Sequence, residues 1–129
     1  MFAGPNGSGK SSLITSSNLD FEVNPIINPD NYAKNLTNIS DEYERYSIAM
    51  TKCALLREEL LEKRVSFGFE TVASRQGKLD FVKRTIDYGY CFELMFINAG
   101  SPEKCYERIQ SCVKRGGHDV PRGQGIFQI

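Results

Sequence analysis

Residues 4–11 read GPNGSGKS, and no other stretch constrains the fold so tightly. The string satisfies G-x-x-x-x-G-K-[ST], which works only where a strand ends, the backbone wraps an anion and a helix begins. Gly4, Gly7 and Gly9 permit backbone conformations closed to other residues, so that consecutive amides, with those of Asn6, Ser8 and Ser12, converge on phosphate oxygens. Lys10 supplies a point charge for the β- and γ-phosphates, and Ser11 a hydroxyl for Mg²⁺. The helix opening at Lys10 adds its dipole. The pattern implies binding of a nucleoside triphosphate, Mg-ATP first, and says nothing about what is done with it. ATPases, GTPases and small-molecule kinases share it.

The rest of the chain alternates short apolar runs with helical stretches, the mark of an α/β fold with a parallel sheet. Met1–Ala3 reads as the end of a strand and Lys10–Ser17 as the first helix. Residues 18–40 are rich in Asn, Pro and Asp, with a brief apolar run at Val23–Ile27. Apolar residues at Tyr43, Tyr46, Met50, Cys53, Ala54, Leu56, Leu60 and Leu61 predict one long amphipathic helix over Asp41–Arg64, with Ser40 as N-cap. Val65–Thr71 alternates and is β-prone. Gly77–Tyr88 reads as a helix stopped by Gly89, and Tyr90–Asn98 as a buried strand. Ser101-Pro102-Glu103 starts a last helix, running to about Arg115.

At 129 residues the chain has room for one domain. Sixteen basic residues balance sixteen acidic ones, which disfavours a long nucleic acid as partner. No apolar run approaches the roughly 20 residues that span a bilayer, and no secretory leader is visible; the expected compartment is the cytoplasm. Cys53, Cys91, Cys105 and Cys112 form no C-x-x-C pair, and His118 is the one histidine, so neither a zinc site nor a disulfide framework is expected.

Two features narrow the chemistry. An N-K-x-D element, through which GTP-binding switches read guanine, does not occur; the nearest string, TKCA at Thr51–Ala54, lacks the aspartate. A motor-type ATPase would carry four apolar residues ending in Asp at its second strand, whereas this one runs VSFGFET and ends in Glu70 and Thr71. Carboxylates at parallel-strand ends face the ligand crevice in such folds. Asp30, in a Pro- and Asn-rich loop, could orient a hydroxyl, and reads equally well as a turn or N-cap residue. Arg108 and Arg115 are seven apart, which would put both on one helical face toward phosphate or leave both as solvated charges.

Taken together and in order, GPNGSGKSS, NPDNYA, SFGFETVAS, SPEKCYERI and KRGGHDVP resemble the zeta-toxin and UDP-N-acetylglucosamine kinase family of P-loop kinases over nearly residues 1–121. The resemblance implies a P-loop kinase fold and transfer of the ATP γ-phosphate to a hydroxyl of a UDP-amino sugar. In several members of that family the activity makes the protein a toxin held by an antitoxin. It further implies that Lys10 and Ser11 serve phosphate and Mg²⁺, and that Asp30 accepts the proton of the attacking hydroxyl. Glu70 and Thr71 would lie on the substrate or metal side. Arg108 and Arg115 would embrace the triphosphate from a lid of about residues 102–121, with His118 beside them. The short first strand and the tail RGQGIFQI at 122–129 make the chain read as a fragment, incomplete toward the adenine side. Two further readings compete: a catalytically incomplete nucleotide-binding remnant acting through a partner, and a kinase for nucleic-acid 5′-hydroxyls, which the neutral charge disfavours.

Overall fold

The computed structural model describes residues 1–16, 24–71 and 76–115, the side chain of Cys112 excepted. The chain is mixed α/β and divides into two compact units, one of Met1–Asp20 with Thr71–Ile129, the other of Phe21–Glu70. Among the described residues no helix is long and apolar enough to cross a membrane.

In the first unit, β1 (Phe2–Ala3) runs straight into the glycine-rich loop and then into α1 (Lys10–Ser16). Two helices, α4 (Gln76–Asp87) and α5 (Pro102–Val113), flank β4 (Met95–Phe96), which pairs in parallel with β1, Phe2 opposite Met95 and Ala3 opposite Phe96. The Met95 amide donates to the Met1 carbonyl at 2.9 Å and the Ile97 amide to that of Ala3 at 2.7 Å. Phe2, Ala3, Phe81, Cys105 and Ile109 are buried. Tyr90–Asn98, expected as a buried strand, pairs only at Met95–Phe96, and Leu94, Met95 and Phe96 are exposed. Apolar content buries a strand only where something packs on its faces; here those side chains stay open in spite of their composition.

The second unit holds β2 (Ile26–Ile27), α2 (Pro29–Lys34), α3 (Glu42–Glu62) and all but the last residue of β3 (Gly68–Thr71). β2 and β3 are parallel, Ile26 opposite Gly68 and Ile27 opposite Phe69. The long helix forms as expected, but Asp41, not Ser40, is its cap: the Asp41 carboxylate accepts from the Tyr43 amide at 2.9 Å. Its buried positions, Ala49, Cys53, Arg57 and Leu61, recur every four residues and so make one face. They close the core with Ile27 and Phe69, while Tyr43, Met50 and Leu55 stay exposed. Arg57 belongs to that face because its apolar stem can pack while the guanidinium lies 5.2 Å from the centre of the Phe69 ring. Burial lowers the Arg57 pKa, an effect that Cys53 and Glu58 oppose.

The helix α2 was not expected: Asn28 caps it, its side-chain oxygen accepting from the amides of Asp30 at 2.8 Å and Asn31 at 3.4 Å, with Pro29 in the first turn. Asp30 is therefore neither a loop residue nor the cap; it stands in the first turn, where a carboxylate suits the helix dipole.

Candidate functional site

The candidate residues fall into two sets, one in each unit. The first is the loop itself. Gly4 has φ 152 and Gly7 φ 76, conformations that side chains rarely adopt. A Cβ at Gly4 would stand 2.1 Å from the Ile97 carbonyl oxygen, and one at Gly7 2.3 Å from that of Cys105. The loop backbone thus passes against the exit of β4 and against α5 with no space for a side chain. At its centre the Ser8 amide donates to the Pro5 carbonyl at 3.2 Å, and the Leu13 amide returns to the Gly9 carbonyl at 2.9 Å. Among the described residues the amides of Asn6, Gly7 and Gly9 donate to no backbone acceptor. Ser8 is buried, and its Oγ has no hydrogen-bond partner among the described residues. Unspent donors around a buried, unsatisfied hydroxyl suit an anionic ligand.

Lys10 is 6 % exposed, and its ammonium donates to the carbonyls of Gly4 and Pro5, each at 3.0 Å. Burying an ammonium is costly unless acceptors surround it; here the loop's own carbonyls hold the charge within the loop. Ser11 and Ser12 follow on the exposed side of α1. Arg108 reaches back from α5, its Nη1 donating to the Ser8 carbonyl at 3.0 Å. Arg115 lies in the turn beyond Val113, where α5 ends, and is exposed. The two arginines therefore do not share a helical face: one is fixed on the loop and the other is past the helix end. His118, the rest of the lid-like segment and the tail 122–129 lie outside the described residues.

The second set gathers on the other unit. Asp30 is exposed in the first turn of α2, and Glu70 is half-buried near the end of β3. Asn28 joins them: its Nδ2 donates to Glu70 Oε2 at 2.6 Å while its Oδ1 caps the Asp30 amide. Tyr46, half-buried on α3, feels the negative charge of both carboxylates. Burial is the largest cause raising the Tyr46 pKa, and the charges of Asp30, Glu70 and Cys53 act in the same direction. Thr71 follows Glu70 at the end of β3 and, by the alternation of a strand, points to its opposite face.

Sequence reasoning missed Asn28 and Tyr46. Asn before Pro is an N-cap signature that would have found the first; Tyr46 shows no signal beyond its place in an apolar period. No protein-family model matches the chain, and no curated protein or solved structure matches it either.

Proposed function

We propose that this chain is an ATP-dependent phosphotransferase, moving the γ-phosphoryl group to a hydroxyl of a small molecule, with a UDP-amino sugar as the acceptor class favoured by its motifs. The observation that carries the reading is the loop between β1 and α1. Gly4 and Gly7 are forced by close backbone contacts, the amides of Asn6, Gly7 and Gly9 donate to no backbone acceptor among the described residues, and the loop encloses an ammonium and an orphaned serine hydroxyl. Those are the properties a triphosphate cradle requires.

In this reading the amides from Asn6 onward and Lys10 bind the β- and γ-phosphates, and Arg108 adds charge from the α5 side. Mg²⁺, when bound, neutralises charge on the phosphate oxygens, and the Ser11 hydroxyl is the group that would ligate it. Asp30 takes the proton of the acceptor hydroxyl. The acceptor oxygen forms a bond to the γ-phosphorus as the bond from that phosphorus to the bridging oxygen breaks, and ADP leaves with the electron pair. Glu70 and Thr71 orient the acceptor. Phosphoryl transfer depends on positioning and charge neutralisation more than on covalent chemistry by the protein, which fits a loop that holds one lysine and one arginine in the first unit and two carboxylates in the second.

Incubation with ATP, Mg²⁺ and a panel of UDP-sugars, followed by mass spectrometry, tests this. A gain of one phosphate on a sugar is expected. Stabilisation by ATP and Mg²⁺ in a thermal melt without any transfer to the panel would replace this reading with that of a nucleotide-binding remnant.

A further inference from the structure

The outer edge of β4 is open. On its inner side the amides of Met95 and Ile97 donate to the carbonyls of Met1 and Ala3, and the Glu93 carbonyl accepts from the Met1 amino group. In a trans peptide the carbonyl points opposite to the amide, so the N–H and C=O groups of Leu94 and Phe96 face away from β1. Among the described residues no strand pairs with that outer edge, and the amides of Leu94 and Phe96 donate to no acceptor. The side chains are open as well. Leu94 and Phe96, two apart and so on one face, are each 55 % exposed, and Met95 is exposed on the other face. Edge strands of soluble proteins usually carry a lysine, a proline or an inward-pointing charge that blocks a further strand. The run Leu94-Met95-Phe96-Ile97 carries none of these.

We propose that this edge is a self-association surface: two copies of the chain pair β4 with β4, antiparallel about a twofold axis at Met95. Nothing in this depends on the phosphotransferase reading. The register follows from the groups on offer. Leu94 and Phe96 are the residues with outward N–H and C=O, and in an antiparallel pair two such residues opposite one another exchange both bonds. A twofold axis at Met95 sets Leu94 of each copy against Phe96 of the other. It leaves Met95 against Met95 as the close pair without hydrogen bonds. One face then carries leucine–phenylalanine pairs and the other two methionines, apolar contacts of the kind that stabilise paired strands. The nearest charge, Glu93, falls opposite Ile97, so no like charges meet across the pair. A second copy suits this edge better than a charged foreign strand, because sixteen basic and sixteen acidic residues let copies approach without net repulsion. The pairing occupies the edge in both copies and so stops at two. The run is short, and the dimer is accordingly a weak one, with a dissociation constant between about 10 µM and about 1 mM.

The test has two arms, both on the full chain. In sedimentation equilibrium from about 10 µM to about 1 mM, the range set by a weak interface, the wild type should pass from monomer to dimer and no further. Met95→Lys and Met95→Glu each bring two like charges together at the axis and should raise the dissociation constant by about 10-fold or more. Because Met95 is exposed, both should keep the circular-dichroism melt of the dilute wild type. An equimolar mixture of the two should recover the dimer that neither forms alone, which variants that had lost their fold would not do. In the second arm the exposed Cys91 is replaced by serine, and Met95→Cys or Leu94→Cys is added to that background. Two copies facing each other at position 95 come within disulfide reach. Met95→Cys should therefore give a disulfide-linked dimer under mild oxidation well ahead of Leu94→Cys. A wild type that stays monomeric across the range, assembles beyond a dimer, or dimerises undisturbed by either charge overturns the proposal. So does equal crosslinking at the two positions, which would mean another register or another surface. A dimer that meets each expectation while no sugar is phosphorylated establishes the pairing and removes only the phosphotransferase reading, since none of these readouts involves a nucleotide.

Discussion

Arg108 donates from Nη1 to the Ser8 carbonyl at 3.0 Å across 100 positions of sequence. One end of that bond is a side chain on α5, the other the backbone at the centre of the glycine-rich loop, so the arginine ties the loop to α5. On the proposed reading it would exchange that carbonyl for phosphate, a stronger acceptor. Arg108→Met should cost about 1 kcal/mol of stability, the usual worth of one such bond, and should weaken ATP binding by about 10-fold or more. Urea denaturation and calorimetric titration with ATP separate the two. A variant that binds ATP as well as the wild type would confine Arg108 to loop support.

Gly7 and Gly77 make a matched pair. At Gly7 a methyl group would collide with the Cys105 carbonyl oxygen in a backbone conformation that side chains rarely adopt, whereas at Gly77, within α4, nothing lies within 4 Å. Gly7→Ala should therefore lower stability by about 2 kcal/mol or more and abolish ATP binding. Gly77→Ala should be neutral or stabilise by up to about 1 kcal/mol, because alanine is the better helix former. Circular-dichroism melts of the two variants decide it; equal behaviour would mean that the loop relaxes around the added methyl.

The difference between what could and could not be read beforehand follows from the range over which each residue's signal acts. The loop was legible because its demands are local: glycines at fixed offsets, lysine and serine next to them, a helix starting at Lys10. The long helix was legible in extent, since Glu42–Glu62 lies within the expected Asp41–Arg64, but not in its buried face. A charged side chain lowers the apolar signal wherever it falls, yet Arg57 packs on Phe69 and Tyr43 stands in solvent. The apolar run at Tyr90–Asn98 misled in the opposite sense, because burial depends on what covers a strand and a sequence window does not contain that. Asn28 and Glu70, 42 positions apart, meet only because β2 and β3 pair in parallel, and no local pattern encodes that pairing.

Lys10 and Asp30 should fail in different ways. Lys10→Ala removes the ammonium that the carbonyls of Gly4 and Pro5 hold in the loop and should weaken ATP binding by about 100-fold, in line with two or more charge-assisted bonds. Asp30→Asn keeps the size of the side chain in the first turn of α2 and removes only its capacity to take a proton. ATP affinity should stay within about twofold while transfer falls by about 100-fold or more. Titration calorimetry and a transfer assay on the same two variants check this. Equal loss of ATP affinity in both would contradict the general-base assignment of Asp30.

Tyr46 makes the second unit sensitive to alkali, and the sign follows from its surroundings. Burial is the largest cause raising its pKa; the charges of Asp30 on α2, Glu70 on β3 and Cys53 on α3 act in the same direction. The folded protein therefore holds the phenol proton more tightly than the unfolded chain does. The stability linked to that proton is fully present below the ordinary tyrosine pKa of about 10 and is lost as pH rises from there through the folded value. Urea midpoints measured in steps from pH 8 to about pH 11 should fall more steeply for the wild type than for Tyr46→Phe, which has no phenol to ionise. The two curves should run parallel below about pH 9, where neither chain carries a tyrosinate. Parallel curves across the whole range would mean that the phenol is hydrated as in the unfolded chain, and that its burial does not oppose ionisation.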